Sequence, residues 1–540
     1  MDIIQLPRSK YIWVGFTVIL CVALFSNLGL LSLQFEEPRR AIVALEMEIS
    51  GNYINPKING FDYYNKAPFY NWLLILFFKA FGSSDEWVVR LPTVFSFLAI
   101  ALINYRIVRQ QVNKQIAIHS SLIFLTASNL LYYFSFQGEI DMFYSLIVYL
   151  QIICLLYYFQ HENYLKLFLI SYALTGIGVI TKGIPSLAFQ AITILAIFIY
   201  YKRFKALFSI WNFVGIFVMC GIIGGYFYLY SLEDDPLPMI TRLITESSKR
   251  SALEESWYKS LVQLYKFPLL VFTMFLPWSL LPFSTKLKLA WKTAISNQWV
   301  RFSLIFVISN SVVYWLSPGT KDRYLYMFIP FISLIVVYLY SLKPYKLFSW
   351  FILVFEAIGL LGAFAIPFFS KSLTLTHNLL VAAYLLLISA ICLYFYFKYS
   401  GYRLFQFVCF LLLVRIAFNF LVMPTRQVEK PSLELQANQM IEAGVEAITA
   451  GDKTISVYNP VVRDSVIIPM IKHPPYQLSY YYTKKSGKIL PYHENEQMGV
   501  IYLTSVDNLD KNENIVIMDT LSMNRKDSDY VIYQLTEADK

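Results

Sequence analysis

Charge is what this chain has least of. Only 15% of its 540 residues are Asp, Glu, Lys or Arg, and 57% are hydrophobic, whereas ordinary soluble domains carry roughly 25% charged residues. That balance excludes a typical water-soluble enzyme. Cysteine is also sparse. Cys21, Cys154, Cys220, Cys392 and Cys409 all lie inside apolar runs, with no paired spacing for a disulfide or a zinc site. The five histidines, His119, His161, His377, His473 and His493, include no pair at metal-ligand spacing. There is no Walker glycine-lysine loop and no dinucleotide glycine motif ahead of a helix, which argues against an ATP-driven pump. Internal repeats and low-complexity tracts are missing too. The net charge of +10 comes without a basic block: most basic residues flank apolar runs. This pattern fits anionic lipid headgroups rather than nucleic acid.

What the chain has in abundance is membrane-length hydrophobicity. Apolar runs begin near Tyr11, Val88, Gln115, Asp141, Tyr164, Ile184, Phe208, Leu261, Arg301, Tyr324, Leu347, Asn378 and Leu404, which predicts about thirteen transmembrane helices. A further run, Pro68 to Phe81, is short for a span and suits an interfacial or re-entrant helix. The first run is too long for a signal-peptide core and lacks a small-residue cleavage site after it, so it reads as a retained span. Aromatic residues, 18% of the chain, suit lipid-water boundaries and helix contacts.

Positive residues in short loops set the orientation. With Arg8 and Lys10 inside, the other inside turns carry Arg106, Arg109 and Lys114; Lys166; Lys202, Arg203 and Lys205; Lys286, Lys288, Lys292 and Arg301; Lys343 and Lys346; and Lys398 and Arg403. The N-terminus is then cytoplasmic. The outer face receives the loop of residues 34–87, the loop of residues 232–260, the turns Ser135 to Asp141, Thr181 to Pro185, Ser317 to Arg323 and Ser370 to His377, and the polar tail. The expected organisation is a membrane domain over residues 1–423 and a small α/β extracytoplasmic domain over 424–540. Within the tail, Thr454 to Tyr458, Gly499 to Leu503 and Ile515 to Met518 read as strands, and Pro431 to Ala443 as an amphipathic helix ending at Gly444. Loops concentrated on one face suit an enzyme with a lipid-borne substrate. A polyprenyl-linked glycan flippase or other transporter is the alternative, and it needs polar groups near mid-membrane on several helices.

Several external positions offer chemistry. Glu36 and Glu37 precede Pro38, Arg39 and Arg40, so a helix starts there with carboxylates at its positive pole. Either residue accepts a proton or simply caps the helix. Ile42, Leu45 and Ile49 predict one apolar face lying on the membrane, and Gly51 a stop. Lys66 before Pro68 places an ammonium at headgroup depth, as a phosphate ligand or as a snorkelling lysine. Asp141, and beside it Glu139, head an otherwise apolar span; an acid there is functional or a helix cap. Lys182 before Gly183, and Lys321 and Arg323 around Asp322, form cationic turns that suit a phosphate or ordinary interfacial charge. The mixed charges of residues 232–260 suit a lid or a solvated loop.

The runs Glu36-Glu37-Pro38-Arg39-Arg40-Ala41, Ser50-Gly51-Asn52-Tyr53 and Asn59-Gly60-Phe61-Asp62-Tyr63-Tyr64-Asn65-Lys66-Ala67-Pro68, with Trp72 following, resemble the first periplasmic loop of the lipid A aminoarabinose transferases. These are relatives of the protein O-mannosyltransferases in the GT-C class. The resemblance implies an α-helical polytopic fold of GT-C type in a bacterial inner membrane. It also implies a glycosyltransferase that moves a sugar from a polyprenyl-phosphate donor to a lipid, glycan or protein acceptor outside the cytoplasm; inversion at the sugar carbon and no cofactor are expected, and no bound metal, because the histidine some members use is missing here. Glu36 stands where the family has its catalytic Asp, with Glu37 beside it. Asp141 matches the second acid, and Lys66, Lys182 and Arg323, with Lys321, match the cations that hold the carrier phosphate. Two departures stand out: Asn65 replaces a Glu common in the family, and residues 232–260 lack the histidine that some members use for a metal.

Overall fold

The structure is a computed structural model of the chain. It describes residues 5–248, 257–317, 319–342, 347–369, 374–428, 435–442, 455–458, 476–493, 497–498, 500–506, 515–521 and 530–535. The expected inside charges Lys343 and Lys346, part of the second external loop (residues 249–256), the ends of the predicted tail helix and His473 lie outside the described residues. A helix stands near every run start named above. Among the described residues, seven helices are long and apolar enough to cross a membrane, or up to nine if each of two bent pairs is one span. The other predicted spans, Lys10–Phe25, Pro185–Tyr200, Tyr326–Leu342 and Leu347–Gly362, are shorter apolar helices.

The chain divides into two compact units. One comprises Met1–Leu28, Arg90–Tyr226 and Ile244–Thr425, and the other Gly29–Val89, Phe227–Leu243 and Arg426–Lys540. In the first unit, polar side chains tie the apolar helices together. Gln151 donates to Gln190 at 2.9 Å, Gln190 to Ser171 at 2.6 Å, and Asn104 to Ser120 at 2.9 Å. Such bonds give specificity where helix packing alone lacks a hydrophobic drive. One span is broken, with Lys114–Leu125 and Ser128–Phe136 meeting at 49°. Backbone freed at such a break must find partners away from water. Ser128 N–H donates to the Leu276 carbonyl at 2.8 Å, and Arg415, fully buried, donates to the Leu131 carbonyl and lies 3.3 Å from the Phe136 ring centre.

The second unit is built around the loop helix Glu37–Ser50, which begins with Pro38 in its first turn and ends at Gly51. This helix is not the one-faced amphipath that its sequence suggests. Ala41 to Met47 are all buried, because the Phe69–Phe81 helix and the Tyr476–Ser486 helix both pack on it; Ile49, expected on the apolar face, is exposed. A two-residue hairpin joins β1 (Lys57–Ile58) and β2 (Phe61–Asp62). The tail contributes β3 (Ile455–Tyr458), β4 (Tyr492–His493), β5 (Ile501–Ser505), β6 (Ile515–Leu521) and β7 (Tyr530–Leu535), in the order β4-β3-β5-β7-β6. β3 runs parallel to β4 and β5, and β7 antiparallel to β5 and β6. Residues 435–442 are helical.

Candidate active site

In the first unit the cluster follows from two spans of matched length. The Ile140–Gln160 helix has Glu139 at its extended cap position and Asp141 in its first turn. Asn163 accepts from Lys166 N–H at 3.1 Å and starts the return helix Tyr164–Lys182. The two helices have 21 and 19 residues, so at about 1.5 Å rise per residue the end of one comes level with the start of the other. Gly183, with φ +102°, stops the return, and Pro185 opens the next helix.

Lys182 Nζ is therefore ion-paired with Asp141 Oδ1, and both side chains are largely buried. The ammonium sits between two rings, 4.8 Å from the centre of Tyr144 and 4.9 Å from that of Tyr324, positions that favour a cation. From the short 3-10 turn Asp322–Tyr324, Arg323 Nη1 donates to Glu139 Oε2 at 2.5 Å. That turn is fixed from below: Asn129 donates to Asp322 at 2.7 Å and accepts from the Tyr326 hydroxyl at 2.5 Å. Burial disfavours the Arg323 charge, but the carboxylates of Asp141 and Glu139 outweigh it and raise its pKa. Lys321 precedes the turn and is exposed.

In the second unit, the two acids before Pro38 differ. Glu37 is 1% exposed and accepts from Gln34 N–H at 2.8 Å, so it closes its own turn. Glu36 is half-buried, ion-paired with Arg39, and 3.8 Å from Arg40. Arg40 donates to the Tyr63 hydroxyl at 2.6 Å. Burial alone raises a phenol's pKa, yet Arg40 and Arg39 hold Tyr63 below its usual value. Asn65 accepts from Arg242 Nε at 3.0 Å. Asn52 donates to Glu233 at 2.6 Å and Tyr230 to Asn55 at 3.2 Å, so the segment around residues 230–233 is bonded to the long loop of residues 34–87. Lys66, half-buried, follows Asn65.

Of the residues singled out from sequence, Asp141, Lys182 and Arg323 meet in one cluster, while Glu36, Glu37 and Lys66 belong to the other unit. Sequence reasoning underrated Glu139 and passed over Asn129, Tyr144 and Tyr326. Glu139 was legible as a second acid at the head of the same span; the aromatic and amide partners carry no signal apart from the fold. No group of three or more His, Cys, Asp or Glu side chains suited to a metal occurs among the described residues. The cluster supplies a point cation, a forked guanidinium and carboxylates, a set that can bind a phosphate and accept a proton.

The family described as dolichyl-phosphate-mannose-protein mannosyltransferase matches residues 65–228. Two curated relatives are undecaprenyl phosphate-alpha-4-amino-4-deoxy-L-arabinose arabinosyl transferases. The one from Erwinia tasmaniensis is 27% identical over 178 residues, and the one from Photorhabdus laumondii is 27% identical over 179. Each match spans 32% of this chain and 32% of the relative's own length. Among solved structures, ArnT from Cupriavidus metallidurans bound to undecaprenyl phosphate superposes with a TM-score of 0.68 at 15% identity, covering 98% of this chain and 99% of that one. Its apo form gives 0.68 at 16% identity, covering 98% of each. The chain thus has the fold of ArnT from Cupriavidus metallidurans, and its residues 65–228 are similar in sequence to the family described as dolichyl-phosphate-mannose-protein mannosyltransferase.

Proposed function

We propose that this chain is an inverting glycosyltransferase that moves a sugar from a polyprenyl-phosphate donor to a lipid, glycan or protein acceptor outside the cytoplasm. The observation that carries the reading is the buried cluster of Glu139, Asp141, Lys182 and Arg323, in a fold shared with a protein solved bound to undecaprenyl phosphate. In the reaction, an acceptor hydroxyl attacks the anomeric carbon from the face opposite the phosphate. Its proton passes to Glu36 or Asp141, the new glycosidic C–O bond forms, and the bond from carbon to phosphate oxygen breaks. Lys66, Lys182 and Arg323, with Lys321 at the rim, hold the departing phosphate and stabilise its growing charge. Glu37 is already committed to its own turn, which favours Glu36 in the first loop.

This reading requires the two units to bring Glu36 and Lys66 to the Asp141 cluster on the outer face of a bacterial inner membrane. It sets the N-terminus in the cytoplasm, about thirteen spans over residues 1–423, and the tail domain in the periplasm. A transporter reading has less support, because the polar side chains deep in the spans bond to one another, as Gln151 does to Gln190.

The test is incubation of the protein in lipid with a panel of polyprenyl-phosphate sugars, following release of the carrier phosphate. The expected result is turnover with at least one donor that is abolished in the Glu36→Gln, Asp141→Asn double variant. No turnover with any donor, together with unaltered cell-envelope glycans in that variant, overturns the proposal.

A further inference from the structure

Glu46 is a costly residue. It lies in the middle of the Glu37–Ser50 helix, 1% exposed. A buried carboxylate normally needs a cation, yet among the described residues no charged side chain bonds to it. Its two oxygens instead accept backbone N–H groups from the β1-β2 turn: Oε1 from Asn59 at 2.6 Å and Oε2 from Gly60 at 3.1 Å. Both turn residues have positive φ, +53° and +78°. Asn and Gly tolerate that conformation, and it suits a two-residue hairpin. Successive N–H groups of such a turn form a small anion-binding concavity, and here the protein fills it with its own carboxylate.

The same turn is gripped from its other side. The Asn59 amide donates to Ser479 Oγ at 2.9 Å and to the Leu490 carbonyl at 2.7 Å, while Tyr492 N–H donates to the Asn59 carbonyl at 3.1 Å. Past the turn, Arg40 bonds Tyr63, and the Asn71 amide donates to the Arg40 carbonyl at 3.2 Å. Lys66 lies on the stretch between those last two points.

Resting on the function proposed above, we infer that Glu46 is a positioning residue: with Asn59 it pins the β1-β2 turn between the loop helix and the tail domain, and so fixes where the Lys66 segment presents its ammonium to the donor phosphate. A neutral or missing side chain leaves the stretch anchored on one side only, and a small misplacement of a phosphate ligand lowers reactivity steeply. The charged groups on the packed elements lie away from it or are engaged elsewhere: Lys79 donates to the Tyr53 hydroxyl at 3.1 Å, and Lys485 is exposed. Lys57 pairs with Asp62, Arg40 with Glu36 and Tyr63, and Lys484 with Asp85 and Glu86. Burial pushes the Glu46 carboxyl up to about 7, against the two backbone bonds that lower it. Burial thus favours the protonated carboxyl, while each backbone bond favours the ionised one.

The test compares wild type, Glu46→Gln and Asn59→Gly, with the full chain in lipid. Amide hydrogen exchange of the segment 57–64 reads the pin without reference to catalysis. Both variants are expected to exchange faster there than wild type at the same pH. In the donor assay, Glu46→Gln is expected to raise the donor KM about tenfold while leaving the acceptor KM unchanged. Unchanged exchange in Glu46→Gln overturns the pin, whatever the activity. Faster exchange with unaltered donor KM overturns the positioning role. If wild type turns over no donor while exchange behaves as expected, the proposed function fails and the pin stands.

Discussion

Two buried carboxylates in this molecule are kept in opposite ways. Asp141, in the first unit, faces the Lys182 ammonium, with Arg323 close enough to act on it. Glu46, in the second, is held among the described residues by two backbone N–H groups alone. A carboxylate held by a cation is half of a pair, and removing it strands the other charge. A carboxylate held by backbone strands no charge when removed, but the turn it holds loses its register. The first arrangement suits reaction with an ionic substrate, and the second suits geometry. Each can be broken separately.

The largest effect is expected at Asp141. Asp141→Asn should lower sugar transfer by about a thousandfold, the range for loss of a general base, and should destabilise the protein by roughly 3 kcal/mol because Lys182 stays buried without its counter-charge. Adding Lys182→Met should restore most of the melting temperature and none of the activity. Carrier-phosphate release and thermal denaturation in the same lipid preparation check both halves. Restored activity in the double variant would mean that the pair is structural.

Next in size is Glu139. Glu139→Gln frees the Arg323 guanidinium, which lies at the head of the span with Glu139 as its ion-pair partner. The donor kcat/KM should fall about thirtyfold, the lower end of what truncating one partner of a buried charge pair costs. Arg323→Lys should fall about as far, because an ammonium keeps the charge and loses the fork. Titration with the donor at fixed acceptor separates these effects from a general loss of folding.

How legible all this was differs between the same two regions. That a helix lies near each apolar run could be read from the sequence, though not how many of them span a membrane; the Asp141 cluster could be read from acids and bases at the ends of apolar runs, since charge is rare there and its place is fixed by helix length. That Glu139 rather than Asp141 takes Arg323 could not be read, because it depends on how a 3-10 turn packs. In the second unit, the loop helix was legible from Pro38 and Gly51, but its burial was not. Its second covering partner, the Tyr476–Ser486 helix, lies some four hundred residues away in sequence. Glu46 looks like a surface charge in the sequence for the same reason.

Smaller again is the effect of Glu46 on stability. Its folded pKa of about 7 lies above the ordinary 4.5. The folded state therefore favours the protonated form, so this stability is fully present below pH 4.5 and is lost as the pH rises through 7. The loss amounts to about 3 kcal/mol. Wild type should melt progressively lower between those limits, and Glu46→Gln should flatten that slope. The donor affinity of wild type should move the other way over the same interval, since the ionised carboxylate grips the turn better. Melting temperature and donor affinity that changed in the same sense would contradict a separate role for this residue in geometry and in stability.

The smallest effect sharpens the contrast most. The same hairpin carries a surface ion pair, Lys57 with Asp62 at 3.5 Å, with side chains 46% and 30% exposed. Asp62 has a further partner in Asn55, whose amide donates to it at 3.2 Å, so the turn does not depend on the lysine. An exposed pair of this kind contributes about 0–1 kcal/mol and is weakened by salt. Lys57→Ala should therefore leave exchange of the segment 57–64 and the donor KM within experimental error of wild type, and should shift the melting temperature by at most a degree or two. If Lys57→Ala instead loosened the hairpin as much as Glu46→Gln, surface charge would be holding the turn, and the buried carboxylate beneath it would lose its distinct role.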